Sequence, residues 1–246
     1  MLRTKKYNNE AASYPYVSAI IVAAGNSTRM GGVNKQFLLI DGVPVLIRTL
    51  KAFENSDLIK EIIISAREED IPQIFAMVKD YSVNKVSNIV KGGCTRQECV
   101  FNAVRCCMTE SDYIAIHDGA RPLVTDEIIS RAAQAAVSDE ACVVGMPVKD
   151  TIKVVGTDGI VTATPERSTL MAVQTPQIFT AELLKQAYAH LAAHPAAVTD
   201  DASVVELMGH KVATALGRYE NIKITTPEDL LFAENLLAQQ EQEDGK

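Results

Sequence analysis

The chain has 246 residues, 47% of them hydrophobic and only 5% aromatic, with a formal net charge of −7. That length suits one large α/β domain filled by Ala, Val, Ile and Leu, and the acidic balance argues against broad nucleic-acid binding, although a locally positive site could still take a nucleotide. No window is apolar for long enough to span a membrane, and Met1 to Tyr14 is polar and lysine-containing, without the apolar centre of a secretory signal.

A cytoplasmic enzyme with no membrane partner is therefore expected. Residues 1–15 read as a disordered or cloning-derived tail, 16–240 as a single domain and 241–246 as a frayed tail. Cys94, Cys99, Cys106, Cys107 and Cys142 are odd in number and lack paired C-x-x-C spacing, which points to reduced thiols. Cys106 and Cys107 fall together on an expected helix and read as structural. The four histidines form no zinc pattern.

In chain order, the apolar run from Tyr16 to Val22 predicts a buried parallel strand over Val17–Ala23. The loop after it, through Phe37, carries Gly25, Gly31 and Gly32 with two fixed cations, Arg29 and Lys35. Glycines at a strand's carboxyl end let backbone N–H groups approach an anion, and the cations add charge, so a triphosphate site is suggested. Lys35 lies between Asn34 and Gln36, which is not a Walker loop, and the glycine spacing is not that of a dinucleotide fingerprint. Alone, the segment favours a phosphate site only modestly over a glycine-rich turn with two solvated cations.

A helix over Pro44–Asn55, a strand over Glu61–Ser65, a helix over Glu69–Tyr81 and a strand over Val86–Val90 follow. The Gly92-Gly93 turn then runs through Cys94 and Cys99 into a helix over Arg96–Met108, where backbone groups could read a base edge or simply form a strand-to-helix turn. After the strand Tyr113–His117 comes Asp118-Gly119-Ala120-Arg121-Pro122. A carboxylate at a strand's carboxyl end facing a phosphate loop is placed to hold Mg²⁺, with Arg121 a bidentate donor for a second phosphate. The plain alternative makes Asp118 a cap and Arg121 its surface partner; His117 reads as structural.

The helix Asp126–Val137 and the strand Ala141–Pro147 continue the alternation, which implies a mostly parallel sheet with helices on both faces and a ligand at the strands' carboxyl ends. Residues 148–173 break the rhythm. Asp150–Val155, a Gly156–Gly159 turn and Ile160-Val161 predict a hairpin arm that covers the site, embraces a second subunit, or is a surface excursion. Helices near Ala181–Ala193 and Ala202–Met208, a strand near Lys211–Ala215 and a helix over Glu228–Gln239 complete the pattern. Lys223 is placed at the end of a late strand, where solvent is its simplest partner.

Arg29, Lys35, Arg121 and Lys223 thus all fall in ligand-side loops around Asp118. That convergence suits transfer of a phosphorus-centred group, in which catalysis is mainly positioning and charge stabilisation. No G-x-S-x-G elbow or cysteine–histidine pair is present, and a phosphate nucleophile needs no strong base.

In series, Ala23-Ala24-Gly25…Arg29-Met30-Gly31…Lys35-Gln36-Phe37, Gly92-Gly93, His117–Pro122, Gln174-Thr175-Pro176-Gln177, Thr199–Ser203 and Asn221-Ile222-Lys223 resemble the 2-C-methyl-D-erythritol 4-phosphate cytidylyltransferase family from about Val17 to about Leu237. The resemblance implies a Rossmann-like nucleotidyltransferase fold and the joining of CTP to methylerythritol 4-phosphate, with release of pyrophosphate, in the non-mevalonate isoprenoid pathway. By it, Ala23, Ala24, Gly25, Gly93 and Cys94 would frame the nucleotide largely through backbone groups. Arg29, Lys35 and Lys223 would meet the phosphates, and Asp118 would bind Mg²⁺ near the ribose. Arg121, Thr175 and Thr199 would line the acceptor site, which Thr151 and Arg167 would complete from the arm of a homodimer partner. Cys99 stands where the family usually has serine, a weaker hydrogen-bonding replacement that is harmless if backbone makes the contact.

Ribitol 5-phosphate cytidylyltransferases share the loop, the arm and the chemistry, whereas Ala23-Ala24-Gly25 and the His117–Arg121 run favour methylerythritol phosphate. A sugar-1-phosphate nucleotidyltransferase is more distant. A non-catalytic nucleotide-binding module would not need Arg29, Lys35, Asp118 and Lys223 together converging on one phosphate, and a Rossmann dehydrogenase lacks its fingerprint.

Overall fold

The structure, a computed structural model, describes residues 15–25 and 34–244. It begins with β1 (Val17–Val22), a 3-10 turn over Lys35–Phe37, and a small hairpin of β2 (Leu39–Ile40) and β3 (Val43–Pro44) leading into α1 (Val45–Glu54). Then come β4 (Ile59–Ala66), α2 (Ile71–Asp80), β5 (Val86–Lys91), α3 (Arg96–Val104), β6 (Tyr113–Asp118), α4 (Asp126–Asp139) and β7 (Ala141–Pro147). After the arm strands β8 (Val154–Val155) and β9 (Val161–Ala163) follow β10 (Met171–Thr180), α5 (Ala181–Ala193), α6 (Asp201–Glu206), β11 (Ala213–Leu216) and α7 (Pro227–Asp244).

Seven strands form one sheet in the order β11-β7-β10-β6-β1-β4-β5. All neighbouring pairs are parallel except the two that β10 makes with β6 and β7. The α/β fold with a mostly parallel sheet is as expected, and the antiparallel β10 is an addition. The alternation of side chains along a strand divides the aliphatic residues between two cores. Ala19, Ile21, Ile62 and Ile64 pack with α1, α2 and α4, whereas Ile20, Ile63, Ile114 and Ile116 pack with α3, α5 and α6. Each such isoleucine is fully buried and contributes about 1.5–3 kcal/mol relative to exposure. A third cluster joins Ile40, Val45, Ala120, Leu123 and Ile224 to Ala233 of α7, beside the carboxyl end of β6.

Several expectations need correction. Residues 174–180 carry a strand absent from the expected pattern, although Pro176 within it cannot donate to a ladder. The β10–β7 register shifts between Val173 and Gln177, around Pro176, whose peptide bond to Thr175 is cis. The paired part of the arm is a separate two-stranded sheet, β8 with β9, and Met171–Val173 already belong to the main sheet. Lys223 does not end a strand: residues 217–225 are irregular. α3 stops at Val104, so Cys106 and Cys107 lie beyond it, their N–H groups bonded to the Ala103 and Val104 carbonyls. α7 continues through Asp244, past the start of the expected tail. All but the last residue of the amino-terminal tail lies outside the described residues, and so does Arg29.

At the amino-terminal ends of the strands a buried carboxylate pins the sheet. Glu61, 1% exposed, accepts hydrogen bonds from Ser18 Oγ and Ser87 Oγ, each at 2.7 Å, and from Met108 N at 3.1 Å. Removing it would strand these donors in the core. Glu61→Ala is expected to cost about 2–4 kcal/mol in urea unfolding while leaving chemistry at the opposite strand ends unchanged.

Candidate functional site

Two adjoining cavities open at the carboxyl ends of β1, β5 and β6. The first, about 340 Å³, is lined by Ala24, Gly25, Lys35, Gly93, Cys94, Cys99, Asp118 and Lys223 among the predicted residues. The second, about 260 Å³, is lined by Arg121, Thr175 and Thr199, and shares Asp118, Lys223 and Arg96 with the first. Ala23, 1% exposed, is a core residue and lines neither cavity. A further cavity of about 410 Å³ lies between α3 and α5, with no basic residue in its wall. Its size does not make it the phosphate site, because no fixed positive charge faces it.

The wall of the first cavity follows from its glycines. A Cβ on Gly92 would sit 2.7 Å from Ala24 Cβ and 2.8 Å from Cys99 Sγ, and one on Gly93 would sit 2.2 Å from Glu98 Cβ. Only glycine lets β5 turn this tightly into α3. The Cys99 thiol closes the turn: Gly93 N donates to Sγ at 3.2 Å, and Sγ lies 3.6 Å from Gly93 O. Cys94 N donates to Glu98 Oε2 at 2.7 Å and Ala23 N to Ser65 O at 2.7 Å. Three of the N–H groups expected to face a base are thus already paired inside the protein. Cys99 thus holds the turn together while also lining the first cavity. All five cysteines are free thiols, as expected.

Asp118 closes β6 between the cavities. Lys223 Nζ lies 3.0 Å from its Oδ2, Arg121 Nε 3.2 Å from the same oxygen, and Arg96 Nε 3.9 Å from Oδ1. Burial opposes ionisation of this carboxyl, but Lys223, Arg121 and Arg96 outweigh it and hold its pKa well below the usual carboxylate range. The irregular segment carrying Lys223 is stitched down: Ile224 N donates to Ala120 O at 2.8 Å, and Arg121 Nη1 to Asn221 O at 2.8 Å. Lys35 Nζ donates to Ile224 O at 2.9 Å, so both lysines meet at one stretch of backbone.

Arg96 is the site residue that sequence reasoning passed over. It forms an ion pair with Asp201 at 2.6 Å, and Asp201 also accepts from Tyr188 Oη at 2.6 Å. A signal existed: Arg96 is the first residue of α3, where a cation opposes the helix dipole and needs a nearby anion. Gln177 was also missed as a site residue. Its amide donates to Asp200 Oδ2 at 2.8 Å and accepts from Asp201 N and Ala202 N, which orients α6 beside Thr199.

Thr151 and Arg167 join neither cavity. Both are exposed on the arm, where Arg167 Nη1 donates to Lys149 O at 2.8 Å. As for a metal, no cluster of three or more His, Cys, Asp or Glu side chains occurs among the described residues. The ionised Asp118 offers a carboxylate of the kind Mg²⁺ takes, with substrate phosphate oxygens needed both to fill the ion's shell and to offset the flanking cations. No helix among the described residues is long and apolar enough to cross a membrane.

Known proteins resemble the chain over nearly its whole length. The family profile described as 2-C-methyl-D-erythritol 4-phosphate cytidylyltransferase matches residues 17–239. A protein of that name from Caldanaerobacter subterraneus subsp. tengcongensis is 49% identical over 224 residues, covering 90% of this chain and 98% of that protein. Another from Geobacter metallireducens is 45% identical over 223 residues, covering 89% and 96%. The crystal structure of 4-diphosphocytidyl-2C-methyl-D-erythritol synthase from Anaerococcus prevotii superposes with a TM-score of 0.82 at 32% identity, over 91% of this chain and 96% of that one.

The site also predicts a pH response. Burial pushes the His117 imidazole down to about 4, against the opposing pull of the Arg121 carbonyl and the Asp118 carboxylate. An unfolded histidine titrates near 6.5, so on acidification the unfolded chain takes up this proton first. The stability contributed by neutral His117 is therefore whole above about pH 6.5 and is lost as pH falls toward about 4. Urea unfolding is expected to show a loss on the order of 2 kcal/mol from this group between about pH 7 and about pH 5. In a folded His117→Gln variant that component of the slope should vanish.

Proposed function

We propose a division of labour among the site residues on the premise that the chain belongs to the 2-C-methyl-D-erythritol 4-phosphate cytidylyltransferase family. It accordingly transfers the cytidylyl group of CTP to methylerythritol 4-phosphate, releasing pyrophosphate, in the non-mevalonate route to isoprenoids. The observation that carries the residue assignment is the convergence of Lys35, Lys223 and Asp118 on one cavity at the ends of β1, β5 and β6.

CTP occupies the first cavity. Ala24, Gly25, Gly93, Cys94 and Cys99 shape the part that takes the nucleoside. Lys35 and Lys223 face the triphosphate, and Arg29 is assigned to it by its place in the family's motif alone. The acceptor lies in the second cavity beside Arg121, Thr175 and Thr199. Its phosphate oxygen attacks the α-phosphorus of CTP, the bond from that phosphorus to the bridging oxygen breaks, and pyrophosphate leaves with the electron pair. Charge accumulates on the phosphoryl oxygens in this displacement, and fixed cations stabilise it where water is excluded. No general base is required, because the attacking phosphate is already ionised near neutral pH. Asp118 would hold Mg²⁺, and the ion would supply charge neutralisation on the phosphates.

The arm supports a dimer. Ile152, Val154, Val155, Ile160 and Val161 are between 40% and 63% exposed, an apolar surface that a second copy would cover. In such a dimer Thr151 and Arg167 reach the partner's acceptor cavity. The protein works in the cytoplasm, where its charged substrates reside.

In a pyrophosphate-release assay with CTP, Mg²⁺ and either methylerythritol 4-phosphate or ribitol 5-phosphate, turnover is expected with the first acceptor only. Lys35→Ala and Lys223→Ala should each lower kcat by roughly 100-fold or more with little change in melting temperature; near-normal turnover would remove these lysines from the mechanism. Val155→Asp combined with Ile160→Asp should convert the dimer to a folded monomer on size-exclusion with light scattering, and activity should fall with it. A fully active monomer would contradict the arm's role.

A further inference from the structure

His117 is fully buried and packs against Phe53 with ring centroids 4.9 Å apart, so it reaches no ligand. Yet both its ring nitrogens have fixed partners. Nδ1 lies 3.0 Å from Thr175 Oγ1, and Nε2 lies 3.2 Å from the Arg121 carbonyl oxygen. Thr175 Oγ1 in turn lies 3.1 Å from the backbone N of Asp118.

Chemistry alone sets the direction of these bonds. An amide N–H only donates, so Thr175 Oγ1 accepts from Asp118. A backbone carbonyl only accepts, so His117 Nε2 carries a proton toward Arg121. A neutral imidazole has a single N–H, and this ring, 0% exposed with a hydroxyl and a carbonyl rather than a carboxylate on its nitrogens, is neutral. Nδ1 is therefore bare and accepts the only hydrogen that the Thr175 hydroxyl owns. Asp118 N–H thus donates to Thr175, Thr175 to His117, and His117 to the Arg121 carbonyl, with every donor and acceptor used in one sense.

We infer that His117 and Thr175 form a hydrogen-bonded lock on the turn carrying Asp118 and Arg121, and that Thr175 serves the reaction as a positioning residue rather than as a donor to the acceptor's phosphate. An ionised phosphate offers only lone pairs, and the closed lock leaves Thr175 no hydrogen to give it. The Thr175 side belongs instead to the turn: Asn221 Nδ2 donates to its carbonyl at 2.9 Å, and the Asn221 carbonyl accepts from Arg121 Nη1. Thr175 thereby fixes both ends of the Asp118–Arg121 ion pair. Between Thr175 and Arg121, it is Arg121 that donates to the acceptor phosphate.

The inference rests on the acceptor occupying the second cavity, and the test separates the two. In ligand-free wild-type protein, ¹⁵N NMR of the His117 ring, assigned through its contacts to Phe53, is expected to show protonated Nε2 and bare Nδ1; a protonated Nδ1 overturns the lock and needs no variant to detect. In steady-state kinetics, Thr175→Val is expected to lower kcat roughly tenfold or more with the acceptor KM within about twofold of wild type, and Thr175→Ser to restore it. A large rise in acceptor KM at unchanged kcat, or no change at all, overturns the positioning role. Failure of the acceptor-side assignment has a different signature: Arg121→Ala would leave the acceptor KM untouched.

Discussion

An ionised carboxylate at the end of a buried strand is the constraint around which this site is organised. Asp118 sits at the end of β6, beside β1 in the middle of the sheet, where burial alone would favour its neutral form. It stays charged because Lys223, Arg121 and Arg96 arrive from three different segments of the chain. The dependence is mutual. Cations crowded at one cleft repel each other, and the carboxylate makes their proximity tolerable. The same arrangement lets a chain of net charge −7 keep a positive cleft for a polyanion, since local geometry outweighs the overall balance.

Holding that cluster together takes little regular structure. The segment bearing Lys223 has neither helix nor strand, but Asn221, 0% exposed, and Ile224, 0% exposed, anchor it on either side. Ile224 joins the cluster beneath α7, so the last helix, remote from the chemistry, fixes the height at which Lys223 enters the cleft. The backbone oxygen of Ile224 then takes the Lys35 ammonium, which sets the two lysines side by side without a direct contact between them.

The parallel strands were legible because apolar, β-branched runs such as Val17–Val22 have few other places to go, and most helices were legible from their spacing. Asp118 and Lys35 could be placed at ligand-side loops because strand ends in such sheets face the ligand, whereas Lys223 was placed there through a strand that does not form. What could not be read had a physical reason in each case. β10 contains Pro176, and the pairing that rescues it comes from partners far away in sequence. Arg96 looked like an ordinary helix residue, because Asp118 and Asp201, which make its placement favourable, are not its sequence neighbours. The alanine and glycine motifs marked loops that line the first cavity, whereas the internal pairing of Ala23, Gly93 and Cys94 N–H groups depends on how those loops close. Thr175 was legible as a residue of the site but not as part of the His117 chain, which exists only once β10 lies against β6.

The antiparallel strand carries one more consequence. From Gln177 to Phe179, β10 is bonded on both sides, to β6 and to β7, whereas from Met171 to Val173 it pairs with β7 alone. Beyond lie only the short exposed strands of the arm, bonded to each other. One continuous stretch of backbone thus descends in steps from doubly paired to singly paired to nearly unsupported, with Thr175 at the register break between the first two. Local unfolding draws on such gradients, opening first where bonds and buried contacts are fewest. The wall of the second cavity and the arm therefore belong to different cooperative units although they share a strand, so the arm can fray or re-form while the carboxylate and its cations stay in place.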